Sequence, residues 1–309
     1  MIKMLAIKLT IALVFGFQVA AAQMPDVPAI NTSLMADSLI APGASLYCVS
    51  NEFQFTEGPA ADAAGNVFFT DQPNNEIWKY RNGKLSLFLK NAGRSNGMYF
   101  DKQGNLVTCA DEHHEIWSVA PNRKITVLLK PGEGLVLNGP NDLWIDPRGG
   151  IYFTDPFYAR SYWANQSPEN PSQNVYYLQP GKVPVAVCED LKKPNGIIGT
   201  PDGKYLYVSD IAAGKTYRYT IRSDGYLDKK TVFVEQGSDG MTLDEQGNVY
   251  LTGKGVTIYN AGGKQVRHIN VPEEWTGNVT FGGRERNLLF ITASHGIYTL
   301  KMNVKGAGF

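Results

Sequence analysis

The sequence predicts an all-β chain: a six-bladed β-propeller with four-stranded blades, closed by an N-terminal strand. Three observations point there. A unit of roughly forty residues recurs six times. Each unit offers short apolar runs separated by turn residues, the pattern of consecutive strands. The first two runs are joined by one kind of tight turn, most often Asp-x-x-Gly.

The unit is clearest over residues 140–154. Asn141 opens it, Leu143 to Ile145 is the first apolar run, Asp146-Pro-Arg-Gly149 turns the chain, and Ile151 to Thr154 runs back. The other turns are Asp62-Ala-Ala-Gly65, Asp101-Lys-Gln-Gly104, Thr200-Pro-Asp-Gly203, Asp244-Glu-Gln-Gly247 and the degenerate Gly283-Arg-Glu-Arg286. Third strands are expected at Glu76–Trp78, Glu115–Trp117, Asn174–Tyr176, Lys215–Tyr217, Gly255–Tyr259 and Gly296–Tyr298. Their aromatic residues Trp78, Trp117, Tyr176, Tyr217, Tyr259 and Tyr298 are expected in the blade core. Fourth strands follow at Leu85–Leu89, Ile125–Leu129, Pro184–Cys188, Thr231–Val234 and Val266–Val271. The sixth unit lacks a fourth strand, because a glycine-bearing tail follows Met302. Ser45–Val49 is the free strand that closes the ring and removes its open edges.

Before the repeats, residues 1–22 read as a signal peptide. Lys3 and Lys8 precede a short apolar stretch that ends in Ala20-Ala-Ala22, an A-x-A cleavage pattern. The apolar run is shorter than the ~20 residues a membrane span needs, so the mature chain is expected to be periplasmic or secreted, without a membrane span. Residues 23–43 form an extended lead-in, and residues 44–309 a single propeller. The leader carries Lys3 and Lys8 and no acid, so 29 basic against 29 acidic side chains become 27 against 29. That balance gives no electrostatic case for nucleic acid or anionic membranes. Cys48, Cys109 and Cys188 form no C-x-x-C pair and are read as small apolar residues without assigned chemistry.

The residue that opens each unit lies at the start of the strand lining the central channel. These residues are Glu57, Asn96, Asn141, Asn195, Asp239 and Asn278: two carboxylates and four amides. For any one of them the alternative is a turn cap. The constant offset from the turn across six copies favours a polar ring. No Lys, Arg or His belongs to it, and buried carboxylates need a counter-charge. A divalent cation is the simplest partner. All the donors are oxygens, which favours Ca²⁺, with Mg²⁺ or Mn²⁺ next and Zn²⁺ a further possibility. Loops joining second to third strands open on the same mouth. They bring His113, His114 and His295 near it, together with the long segment Phe157–Asn165, an expected determinant of selectivity.

In combination, Glu57-Gly-Pro59, Gly139-Pro-Asn-Asp142, Tyr152-Phe-Thr-Asp-Pro156, Pro194-Asn-Gly196 and Ser238-Asp-Gly-Met241 resemble the gluconolactonase/regucalcin (senescence-marker-protein-like lactonase) family. The resemblance spans essentially the whole mature chain. It implies a calcium-dependent lactonase whose cation is held by Glu57, Asn195 and Asp239, with Asn141 contributing to metal or substrate. Its small-molecule substrate is expected to be a sugar lactone hydrolysed to an aldonic acid. On that footing Asp239 is the expected catalytic carboxylate, and Asn96, Asn141, His113, His114, Tyr158 and His295 the expected substrate contacts. Many relatives place a histidine near the end of blade two's second strand, where this chain reads Ala110-Asp111-Glu112. The alternatives are a calcium-stabilised binding scaffold, or an aryl-esterase or phosphotriesterase using the same centre.

Overall fold

The computed structural model describes residues 39–308 apart from 133 and 169. The signal-peptide assignment and residues 23–38 of the lead-in lie outside the described residues. Twenty-four strands form six four-stranded antiparallel sheets, the blades of a six-bladed propeller. The chain enters with β1 (Tyr47–Ser50). Blade one is β2 (Thr56–Ala61), β3 (Val67–Asp71), β4 (Glu76–Arg81) and β5 (Lys84–Lys90). Blade two is β6 (Ser95–Phe100), β7 (Leu106–Ala110), β8 (Glu115–Val119) and β9 (Ile125–Leu129). Blade three is β10 (Leu143–Ile145), β11 (Ile151–Asp155), β12 (Asn174–Leu178) and β13 (Val185–Cys188). Blade four is β14 (Pro194–Gly199), β15 (Tyr205–Asp210), β16 (Lys215–Ile221) and β17 (Leu227–Val234). Blade five is β18 (Met241–Leu243), β19 (Val249–Gly253), β20 (Gly255–Tyr259) and β21 (Gln265–Ile269). Blade six is β22 (Thr276–Gly282), β23 (Leu288–Ala293) and β24 (Gly296–Lys301), with β1 as its outer strand.

The inner hairpins explain the repeated turn. In four of the units the aspartate caps its own loop: Asp62 Oδ1 accepts from the Ala64 and Asn66 amides, and Asp101, Asp146 and Asp244 repeat the pattern. The last turn residue must then adopt φ > 0, which glycine does without strain. In the degenerate sixth turn Arg286 takes that conformation instead, with φ 60°. Its guanidinium donates to the Asp62 and Ala63 carbonyls of blade one's turn, tying the last blade to the first.

Closure occurs as the sequence predicts. Tyr47 pairs with Thr299 and Cys48 with Tyr298. The seam extends further than the sequence indicates, because part of the lead-in joins it. Ile40 bridges Met302, the Asn303 amide donates to the Leu39 carbonyl, and Leu39 is buried in the core of blades five and six. The aromatic repeat is a partial success. Trp117, Tyr176 and Tyr298 are buried, whereas Trp78, Tyr217 and Tyr259 are half-buried at blade rims. All three cysteines are free. Cys109 and Cys188 are buried as expected, but Cys48 is exposed because β1 is an outer strand. Among the described residues no helix is long and apolar enough to cross a membrane.

The seam supports a test by truncation. Deletion through Pro42 removes the burial of Leu39, worth about 1.5–3 kcal/mol, and should lower the melting temperature while leaving one cooperative transition. Deletion through Asn51 also removes β1 and should abolish the cooperative melt by calorimetry. A cooperative melt in the longer deletion would refute closure by β1.

Candidate functional site

The inner strands begin at one end of the channel, and the ring residues sit where those strands are irregular. The pairing register breaks between Glu57 and Ala60, Ser95 and Met98, Pro194 and Ile197, and Thr276 and Asn278. Asn141 and Asp239 lie just ahead of β10 and β18. Such bulges re-aim side chains out of the pleat. Glu57, Asn96, Asn141, Asn195 and Asn278 are buried and Asp239 is half-buried.

Beneath the ring lies a repeated hydroxyl. Thr70, Thr154, Ser209, Thr252 and Thr292 occupy the penultimate position of their second strands and are fully buried. Their hydroxyls bond inner-strand backbone: Thr252 reaches the Gly240 carbonyl at 2.9 Å and the Gly277 carbonyl at 2.8 Å, and Thr292 the Asn278 carbonyl at 3.1 Å. The next residue is an aspartate in three blades. Asp71 accepts the Gln54 and Phe55 amides, Asp155 those of Asn138 and Gly139, and Asp210 those of Lys192 and Lys193. In each case these are the third and second residues before the ring position.

Asn195 and Asp239 form the centre of the site. Asn195 Nδ2 donates to Asp239 Oδ1 at 2.7 Å and to the Tyr158 hydroxyl at 2.8 Å. Trp275 Nε1 donates to Asp239 Oδ2 at 2.6 Å. Asn195 Oδ1 is buried and, among the described residues, has no hydrogen-bond partner. Glu57 receives the Gly58 amide at 3.0 Å. Gly277 leaves no room for a side chain beside it: an added Cβ would lie 2.6 Å from Glu57 Oε1. The side chains of Asn96 and Asn141 make no hydrogen bond among the described residues.

Two members of the site were not assigned roles from sequence. Asp142 is buried, accepts the Leu143 amide at 2.9 Å and lies 3.5 Å from Asn278 Nδ2. Its place beside Asn141 was visible, but strand alternation would turn it away from the channel; the local irregularity does not. Trp275 lies on the connection from β21 to β22. Fourth strands also run towards the mouth, so the connections that follow them belong to it as much as the second-to-third loops do. That topology was available from the repeat.

The histidines are placed differently from the ring. His113 is exposed and stacks on Trp117 at 5.4 Å, and His114 stacks on Trp163 at 4.5 Å with Nδ1 3.2 Å from the Leu137 carbonyl. His295 Nδ1 lies 3.0 Å from the Phe53 carbonyl. None of the three is hydrogen-bonded to a ring residue.

The carboxylates are electrostatically frustrated. Burial, followed by the charges of Asp239 and Asp142, holds Glu57 well above the usual carboxylate range. Burial raises Asp142 to about 7 and Asp239 to about 6; for Asp239 the Trp275 and Asn195 donors and the Arg160 charge oppose that rise. Among the described residues no group of three or more His, Cys, Asp or Glu side chains is drawn together to hold a metal unaided. The set that fits a hard divalent cation is mixed. It comprises the Glu57 and Asp239 carboxylates, the unpartnered Asn195 Oδ1 and the free amide of Asn141.

Below the ring the channel changes character. A cavity of about 730 Å³ opens at the opposite end, lined by Met98, Leu143, Ile197, Met241 and Val279 and reaching Asp142 and Asn278. Its largely apolar wall offers little to sugar hydroxyls. The mouth, with Tyr158, Trp275 and the amides, offers more.

A six-bladed propeller that gathers buried carboxylates and amides at one end of its channel defines a class of proteins with a polar, cation-suited centre. The chain belongs to the family described as the SMP-30/Gluconolactonase/LRE-like region, which matches residues 55–295. It is 28% identical over 302 residues to a gluconolactonase of Zymomonas mobilis, covering 87% of this chain and 85% of that one. A solved gluconolactonase of Xanthomonas campestris superposes with a TM-score of 0.78 at 28% identity, covering 85% of this chain and 91% of that chain. A calcium-binding regucalcin of Agrobacterium tumefaciens shares the fold, with a TM-score of 0.73 at 19% identity over 86% of this chain and 96% of that chain.

The raised acids make a stability prediction. In the unfolded chain carboxyls ionise near 4, whereas Asp239 and Asp142 hold their protons to about 6 and about 7. The unfolded state therefore loses protons first as pH rises. The stability these two groups contribute is full below about pH 4 and is lost as pH climbs through 6 to 7. In chelator, the melting temperature should fall between about pH 5 and about pH 8, and Asp142→Asn should shrink that fall. A flat or rising profile in the wild type would contradict the burial argument.

Proposed function

We propose that the protein is a divalent-cation-dependent lactonase that opens a hydroxylated lactone, such as a sugar lactone, to its hydroxy acid by attack of water. The observation that carries this is the pairing of uncompensated Glu57 and Asp239 with the buried, unpartnered Asn195 Oδ1 at a polar mouth. The gluconolactonase relatives support the reaction class.

Glu57, Asn195 and Asp239 would hold the cation, with the Asn141 amide beside them. Ca²⁺ suits this oxygen set best. When bound, a divalent cation supplies Lewis-acid polarisation of the lactone carbonyl. The chain's own residues supply the rest. Asp239 accepts the proton of the attacking water as the new C–O bond forms. That proton passes to the ring oxygen as the acyl C–O bond breaks. Asn195 and Trp275 each donate to one oxygen of Asp239 and so fix its plane. Trp275 is a positioning residue. The side chains of Asn96 and Asn141, which make no other hydrogen bond among the described residues, would meet substrate hydroxyls, with Tyr158 bordering the same space.

Asp239→Asn keeps the size and an oxygen donor but removes a charge and the proton acceptor. At saturating Ca²⁺, kcat should stay down by about 10²-fold or more, the scale of general-base contributions. Glu57→Gln should mainly weaken cation binding and recover most of its rate at saturating Ca²⁺. The assay uses aldonolactones, homoserine lactones, aryl esters and phosphotriesters, with and without chelator. Near wild-type rates for both variants at saturating cation would overturn the role of Asp239. A wild type that binds Ca²⁺ yet hydrolyses nothing would make the protein a scaffold, and turnover confined to aryl esters or phosphotriesters would reassign its substrate.

The overhanging loop supports a separate measurement. Replacing Phe157–Asn165 with a short Gly-Ser link removes Tyr158 from Asn195 but leaves the cation donors in place. KM and the preference among lactones should change, while Ca²⁺ affinity by calorimetry changes only a few-fold. Complete loss of Ca²⁺ binding would show that the loop belongs to the frame of the centre.

A further inference from the structure

The mouth carries cations on the side formed by Tyr158. Lys193 Nζ lies 4.4 Å from the Tyr158 ring centroid, and the Arg160 guanidinium carbon lies 5.5 Å from the same centroid. Tyr158 in turn receives the Asn195 amide, so both cations flank a side chain that touches the centre. Their charge accounts differ. Arg160 is paired with Asp111, its Nε 3.1 Å from Asp111 Oδ2, and Arg94 lies against Glu112 at 3.6 Å. Lys193 has no carboxylate within ion-pair distance among the described residues. It is half-buried, and its backbone is pinned by Asp210 two residues before Asn195.

Arg160 is also held in place. Asp111, 2% exposed, accepts from Arg160 Nε and the Tyr162 hydroxyl, and its carbonyl accepts from Trp163 Nε1 at 3.1 Å. Trp163 is itself buried against Gly139, where an added Cβ would lie 2.6 Å from the indole. Among the described residues, Arg160 donates no hydrogen bond from its terminal nitrogens. A fixed guanidinium and an uncompensated ammonium thus flank one tyrosine ring, beside a centre that is otherwise rich in carboxylates. A neutral lactone has no use for a half-buried cation without a carboxylate partner there. A second anionic group on the substrate does.

We propose that the preferred substrates are lactones bearing a second carboxylate remote from the ring carbonyl, such as the monolactone of an aldaric acid, and that Lys193, with Arg160 beside it, receives that carboxylate. This rests on the lactonase reading and names its substrate class. The second carboxylate takes no part in the bond changes; it orients the lactone with its carbonyl towards Asp239.

The test compares an aldaric monolactone with the neutral aldonolactone of the same ring size, using Ca²⁺-loaded full-length mature protein. Wild type should favour the carboxylated lactone in kcat/KM. Lys193→Met keeps the aliphatic stem and should lower kcat/KM for that substrate about 10- to 100-fold, mostly through KM, the range expected for a lost charge-assisted hydrogen bond. The neutral lactone should change less than about threefold, the level of an uninvolved contact. Lys193→Arg should keep most of the preference. Raising ionic strength from about 0.05 to about 0.5 M should raise KM for the anionic substrate only. Equal losses on both substrates in Lys193→Met would overturn the proposal, because Lys193 would then only offset the charge of the ring. Wild type that opens neutral lactones but not the carboxylated ones would overturn it while leaving the lactonase reading intact. Wild type that opens neither would remove both.

Discussion

Fixing six strand starts to one plane at the mouth of the channel is the constraint from which the rest of the site follows. Much of it is done by second-strand carboxylates. Asp71, Asp155 and Asp210 each accept two consecutive backbone amides, at the third and second positions before a ring residue. A carboxylate held by two amides is a rigid bracket, since each bond is charge-assisted and the two share one planar group. The buried hydroxyls at the preceding position add a second tie: Thr154 bonds its own blade's Asp142 carbonyl, while Thr70 reaches the Asn96 carbonyl and Ser209 accepts the Ser238 amide of the next blade. The ring residues are therefore aimed by hydrogen bonds to the backbone around them, which leaves the Asn96 and Asn141 side chains and the Asn195 oxygen free for a ligand. Asn195 shows the result, with its nitrogen fully used and its oxygen unpartnered.

That rigidity sustains an otherwise unfavourable arrangement. Glu57, Asp142 and Asp239 are brought close enough that Asp239 and Asp142 raise the proton affinity of Glu57, and Asp239 that of Asp142. A mobile frame would relieve the repulsion by letting them separate. Here they stay together in a wall of blade core, with the cations Arg160 and Lys193 only at the edge, around Tyr158. The destabilisation is concentrated where a cation would remove it, which is the expected relation between a strained centre and its ligand.

The fold was almost wholly legible in the sequence because the repeat is written in local chemistry. The Asp-x-x-Gly turns mark four of the six hairpins, and the predicted return strand Ile151–Thr154 falls one residue short of the observed Ile151–Asp155. In three blades the second strand runs on to a terminal Asp, whose bracketing partners lie on the chain ahead of the inner strand, outside the apolar runs that mark the repeat. The ring positions were legible for the same reason. Asp142 was not, since period-two alternation predicts that neighbours face opposite ways and only the irregular backbone at the mouth defeats it. Trp275 was missed through topology: a fourth strand ends at the mouth, so the connection into the following blade lines it too. The half-buried Trp78, Tyr217 and Tyr259 mark another limit. Repeat equivalence gives the strand position of a side chain, but not how far the neighbouring blade covers it.

Blade two shows how one repeat was changed to serve another. The position of the bracketing aspartate is Ala110 there, as the pairing of Ser95 with Ala110 and of Thr56 with Asp71 establishes. Its task passes to a neighbour: Asn75 Oδ1 accepts the Arg94 amide at 2.8 Å, and Arg94 sits at φ 46°, a conformation that costs a non-glycine residue energy. With no carboxylate at position 110, the chain after β7 turns as a short 3₁₀ segment over Asp111–His113. The acid moves one residue on, and Asp111 meets the loop from blade three instead of its own backbone. Arg160, Tyr162 and Trp163 all anchor to it. The long loop is thus not a loose cover over the mouth. It is fastened to blade two by an acid displaced from the frame, and this fastening sets Tyr158 against Asn195 and Arg160 beside the centre. The departure from the repeat in one blade and the long insertion in the next are one structural change, and its product is the wall of the mouth that a substrate meets.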